Sequence, residues 1–184
     1  VEFEKNFGPK LGNINLETIK NVDEIIFTEK VYKVYKAISK TSKDPLMINK
    51  DMIGFVGAPW TILVYMINKS SPKKGLSSEF FKDDFLINRL LQIIEKFLKL
   101  HIKNQIEAGA QVIQIFDSWA GLLKDKIPEY IYIPTLNIVD YVKTLGVPVI
   151  CFPRGIKDYK NFCEIVKPDA VNIDYDIDPK KIVN

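Results

Sequence analysis

The stretch from Ile53 to Met66, IGFVGAPWTILVYM, decides how the chain is read. An apolar strand, Ile53 to Val56, runs into the tight turn Gly57-Ala58-Pro59-Trp60 and then into a helix that carries Tyr65. Glycine permits a turn that a Cβ would hinder, and proline suits the first turn of a helix, where its missing N–H would be unpaired anyway. Such a corner at the carboxyl end of a parallel strand is where α/β proteins bind ligands, because free amides and the positive end of the helix dipole point there. On these grounds alone it is a site candidate.

Before the corner, Val31, Val34, Tyr35 and Ile38 recur at the spacing of one helical stripe, which the breaker Thr41-Ser42-Lys43-Asp44-Pro45 ends. Asn15 to Glu24 reads as a short polar approach to that helix, and Val1 to Asn13, which has neither period, as a loop. The helix after the corner ends near Asn68, and Ser70, Ser71, Pro72 and Gly75 mark a flexible connection. The longest helical pattern spans Asp83 to Glu107, with Phe85, Ile87, Leu91, Ile94, Leu98 and Ile102 on a broad buried face and Gly109 as its cap.

Strand Gln111 to Phe116 then opens into Asp117-Ser118-Trp119-Ala120-Gly121. A helix from Pro134 to Leu145 leads to strand Val147 to Phe152, which ends in Pro153-Arg154-Gly155. A shorter helix, Asp158 to Val166, leads to strand Ala170 to Ile173 and the acidic corner Asp174-Tyr175-Asp176, after which Asp178-Pro179 opens another helix. Strand and helix alternate, which implies a parallel sheet whose right-handed crossovers bring every carboxyl end to one side. That side gathers GAPW, DSWAG, PRG and DYD. An open doubly wound sheet and a barrel both satisfy the pattern.

With 184 residues, 47% of them hydrophobic, the chain can bury a sizeable core. It reads as soluble, with no apolar run near the ~20 residues of a membrane span. Val1 follows no initiator Met and no secretory leader, so the start reads as a cut in a longer chain. Cys151 and Cys163 make neither a disulfide framework nor a Cys-x-x-Cys pair, and a reducing cytoplasm is the simplest setting. A net charge of +3 on scattered lysines reads as solvated faces and argues against nucleic acid as a partner. Only Arg89 and Arg154 are arginine, and a chain that uses lysine by default can keep arginine where a planar fork is needed.

GFVGAPWTILVYM, QIEAGAQVIQIFDSWAG, GVPVICFPRG and the VNIDYD corner occur in an order and spacing similar to those of the uroporphyrinogen decarboxylases of haem biosynthesis. GAPWT with a tyrosine four residues after the threonine is the most specific part, and the resemblance covers nearly the whole chain. It implies a (β/α)₈ TIM barrel of which about half is present, approximately strands three to six, with residues 1–184 the central part of a single domain. It also implies that the family's pyrrole-gripping aspartate lies upstream of Val1 and its late histidine beyond Asn184.

The implied reaction removes carbon dioxide from the four acetate arms of uroporphyrinogen III to give coproporphyrinogen III, without metal or organic cofactor. A protonated pyrrole can accept the electrons that the departing carboxylate leaves, so the protein need only hold the ring, move protons and stabilise the cation. By resemblance Tyr65 is the catalytic tyrosine facing the reacting acetate, and Ser118 donates to a substrate carboxylate. Phe55 and Phe116 match the apolar cavity wall, and Arg154 stands where a strand-end cation could meet a carboxylate. Homodimerisation is likewise an expectation from the family.

Read from the residues alone, each of these has a plainer role: Tyr65 as core, Ser118 as a helix or turn cap, the phenylalanines as barrel packing. Asp117 and Asp174 read as caps or loop anchors, and His101, the only histidine, as a packing residue of the long helix. A single histidine and two separated cysteines provide no zinc cluster, which weighs against the related corrinoid-dependent methyltransferases. A non-catalytic remnant or interaction fragment of the barrel is the other alternative.

Overall fold

The computed structural model describes residues 2–4, 8–10, 12, 19, 21–69, 71–72, 75–76 and 83–182. Its first element is an antiparallel ladder, β1 (Glu2–Glu4) against β2 (Gly8–Lys10), where a loop is expected. Strands of three residues are too short for alternation to show in a sequence. Most of the polar approach from Asn15, and Ser70 of the connection after the corner helix, lie outside the described residues. Helix α1 (Glu24–Ser42) follows, capped by Asp23, whose carboxylate accepts from the Ile25 and Ile26 N–H groups.

Four parallel strands form the main sheet: β3 (Ile53–Gly57), β4 (Val112–Asp117), β5 (Val149–Pro153) and β6 (Ala170–Val171). Between them run α2 (Pro59–Asn68), α3 (Asp84–Glu107), α4 (Ile133–Thr144) and α5 (Tyr159–Val166). The strands stand side by side in chain order, with no reversal. A doubly wound sheet reverses direction at a switch point and so acquires helices on both faces; sequential right-handed crossovers put them all on one. This order is that of a (β/α) barrel, opened along both outer strands.

Alternation along β3 and β5, and at the carboxyl end of β4, divides the sheet into two faces. Val56, Ile115 and Cys151 lie in register and are buried beneath the helices, against Trp60 and Leu63 of α2, Ile102 of α3 and Ile138 of α4. The intervening residues face the other way, and there Ile53, Phe55 and Phe116 are exposed.

Local differences from the periodic reading have local causes. Phe85 is 82% exposed rather than buried, because it precedes Ile87 by two residues and so points about 200° round the helix from the apolar stripe. Pro134 sits in the first turn of α4 as expected, and a wide i→i+5 turn over Pro128–Tyr132 runs directly into the helix before it. Strand β6 stops at Val171, short of Ile173. Asn172 still donates to the Cys151 carbonyl, but two residues later Asp174 is held by the Gly155 N–H and the Tyr159 hydroxyl, which turns the chain out of the ladder. The helix expected after Asp178 is one 3₁₀ turn, Pro179–Lys181.

Candidate functional site

The corner after β3 is built as its residues dictate. Ala58 donates its N–H to the Phe116 carbonyl at 2.8 Å, tying the turn to the neighbouring strand end, and Pro59 opens α2 without needing a hydrogen bond. Trp60 is fully buried. Its ring stacks parallel on Tyr130, with centroids 6.0 Å apart, and its Nε1–H donates to the Trp119 carbonyl at 3.0 Å.

Thr61 ties the same corner to β4 through its hydroxyl, which donates to Asp117 Oδ1 at 2.7 Å and accepts from the Trp119 N–H at 3.3 Å. Asp117 is 3% exposed and its Oδ2 has no hydrogen-bond partner among the described residues. Burial pushes its pKa up to about 7, against the smaller downward pulls of the Thr61 hydroxyl and the Trp119 N–H. A carboxyl that is neutral below pH 7 therefore latches two of the strand-end loops together.

The next two strand ends meet backbone to backbone. Arg154 N–H donates to the Asp117 carbonyl and Gly121 N–H to the Arg154 carbonyl, both at 3.0 Å. A Cβ on Gly121 would stand 2.5 Å from the Gly155 carbonyl oxygen, so only glycine allows DSWAG and PRG to close on each other. Asp174 continues the chain of contacts to the fourth corner by accepting from the Gly155 N–H at 2.6 Å and the Tyr159 hydroxyl at 2.8 Å. Burial and the adjacent Asp174 carboxylate push the Tyr159 hydroxyl well above its ordinary pKa.

Against this frame, Tyr65 and Ser118 flank the same residue. Tyr65 lies one turn beyond Thr61, half-buried, with its ring edge-on to Trp119 at 6.0 Å between centroids; Ser118, also half-buried, directly precedes Trp119. Phe55 and Phe116 meet edge to face at 6.2 Å on the open side of the sheet. Phe116 meets Phe152, its partner in register, at 6.5 Å, so the aromatic wall continues onto β5. The sequence signal for Phe152 was its position two residues before Arg154, equivalent to Phe116 before Ser118. Arg154 is exposed at the rim.

His101 stands apart from these loops. It lies between α1 and α3, where its Nδ1 is 2.9 Å from the Tyr35 hydroxyl and burial lowers its pKa. Among the described residues no group of three His, Cys, Asp or Glu side chains could hold a metal ion. Nor, among them, is any helix long and apolar enough to cross a membrane.

Parallel strands in sequential order, with their carboxyl-end loops latched together and an aromatic row along the open face, define a segment of a (β/α) barrel. The chain belongs to the uroporphyrinogen decarboxylase (URO-D) family, whose model matches residues 1–184. It is 39% identical over 166 residues to the uroporphyrinogen decarboxylase of Campylobacter jejuni serotype O:2, a match covering 86% of this chain and 48% of that protein. The enzyme of that name from Orientia tsutsugamushi strain Ikeda is 35% identical over 185 residues, covering 96% and 53% of the two chains, and that from Rickettsia bellii 33% over 180 residues, covering 95% and 53%. The chain thus spans about half the length of these curated relatives.

Proposed function

We propose that residues 1–184 form the central part of a single barrel domain, approximately strands three to six, of an enzyme that decarboxylates the four acetate arms of uroporphyrinogen III to coproporphyrinogen III. The observation that supports this reading is the Phe55–Phe116–Phe152 row along the open face of the sheet, with Tyr65 and Ser118 on either side of Trp119 beyond the β3 and β4 ends. A row of phenyl rings can press against the face of a tetrapyrrole while lowering the local dielectric, which strengthens charge interactions with its carboxylates. In this reading Tyr65 is the catalytic group, orienting the reacting carboxylate or polarising the proton-donor network. Ser118 donates to a carboxylate, and Arg154 pairs with one at the rim.

Electrons released as carbon dioxide departs are taken up by the protonated pyrrole, so the protein's work is to hold the ring and move protons. The reading calls for no metal or organic cofactor. It carries with it a cytoplasmic homodimer as the working assembly, with neither nucleic acid nor membrane as partner.

The test is anaerobic conversion of uroporphyrinogen to coproporphyrinogen by the full gene product, with and without Tyr65→Phe. Conversion by the parent and a loss of about tenfold or more in kcat for the variant are expected. Full activity in the variant removes Tyr65 from the mechanism. A folded parent that converts nothing returns the chain to the non-catalytic or methyltransferase alternatives.

A further inference from the structure

Gln105, in the last turn of α3, is 1% exposed and spends its side chain on a strand rather than on its own helix. Its Oε1 accepts from the Phe55 N–H at 3.1 Å and its Nε2 donates to the Phe55 carbonyl at 3.1 Å. In a parallel strand the N–H and C=O of one residue point to the same side, and successive residues alternate. The even-numbered residues bounding β3 face β4: Gln111 N–H donates to the Met52 carbonyl, and Ala58 N–H to the Phe116 carbonyl. The backbone groups of Phe55 therefore point to the opposite edge, where no strand pairs with β3 among the described residues. There the carboxamide of Gln105 takes both of them.

Gly54 is part of the same fit. A Cβ at that position would lie 2.8 Å from Gln105 Oε1 and 3.0 Å from the Ala110 Cβ, so the amide reaches the strand only because residue 54 has no side chain. The ring of Phe55, by contrast, is 65% exposed and, among the described residues, meets another ring only at Phe116. Packing gives such a ring little orientation, and its direction is set by the backbone that carries it.

We propose that Gln105 is a positioning residue that fixes the backbone of Phe55 and so aims its ring at the tetrapyrrole; this rests on the proposed function only in naming the ligand. The test uses the full gene product with Gln105→Met, which keeps length and apolar volume but makes neither bond, alone and combined with Phe55→Ala. Gln105→Met is expected to raise KM for uroporphyrinogen roughly fivefold while kcat stays within about twofold, and to add less than about twofold to KM once Phe55 is alanine. An unchanged KM, or an equal rise in both backgrounds, overturns the proposal.

A second measurement needs no substrate: a single trifluoromethyl-phenylalanine at position 55, read by fluorine NMR. Its resonance is expected to shift or broaden in Gln105→Met, and an unmoved resonance overturns the proposal in a protein of any activity. If the parent does not decarboxylate uroporphyrinogen, the proposed function fails on that result alone while the fluorine spectrum still decides the role of Gln105.

Discussion

The two faces of the parallel sheet are made from alternate residues of the same strands and end in opposite states. Beneath the helices, Val56, Ile115 and Cys151 are almost fully covered, and the carboxyl of Asp117 is buried with them. One residue away along each strand, Phe55, Phe116 and Phe152 form an open aromatic row. Burial on the first face contributes to stability, at roughly 25 cal/mol for each Å² of apolar surface removed from water. Rings on the second stay available to a ligand. The distinction depends on period alone, so a shift of one residue in the register of any strand would exchange the two.

The sharpest way to break this comparison is to truncate two aromatics five residues apart. Trp60→Ala removes a fully buried indole together with its stack on Tyr130 and its bond to the Trp119 carbonyl, and is expected to cost about 3 to 5 kcal/mol in chemical denaturation of the full gene product. The same measurement on Phe55→Ala is expected to show a loss of only about 1 kcal/mol or less, because most of the ring is already in water. Equal costs would mean that the aromatic face is core, closed by other parts of the protein.

A second test concerns the carboxyl on the covered face. With its folded pKa raised to about 7 from 3.8, Asp117 holds its proton in the folded state at pH values where the unfolded chain has released it. Stability therefore falls as pH rises from about 4 to about 7 and levels off above. The full effect has an upper bound of roughly 4 kcal/mol at 1.36 kcal/mol per unit. Asp117→Asn is expected to flatten that slope and to be more stable relative to the parent at pH 8 than at pH 4, as read from denaturation midpoints across the range. An unchanged slope would mean that Asp117 is ionised in the fold and that its latch to Thr61 is charge-assisted.

Much of this was legible without coordinates. The strand, GAPW corner and helix follow from an apolar run, a glycine turn and a proline at a helix start, and the alternation of strand and helix required a parallel sheet. The motifs around Tyr65 and Ser118 pointed to the family that the comparisons identify. Less legible were contacts between residues far apart in the chain. Thr61 and Asp117 are separated by 56 positions and Gln105 and Phe55 by 50, and neither pair leaves a periodic trace.

By itself, then, the sequence determined the main strands and helices, their parallel arrangement and the family, because periodicity and turn chemistry are local properties. Tertiary structure alone decided which face of the sheet is covered, since that depends on strand order. It also decided that Asp117 is buried and bonded to Thr61, and that Gln105 takes both backbone groups of Phe55. Burial and hydrogen-bond geometry are properties of neighbours in space, and the corner at Gly57 acquires its partners only when β4 and α3 fold against it.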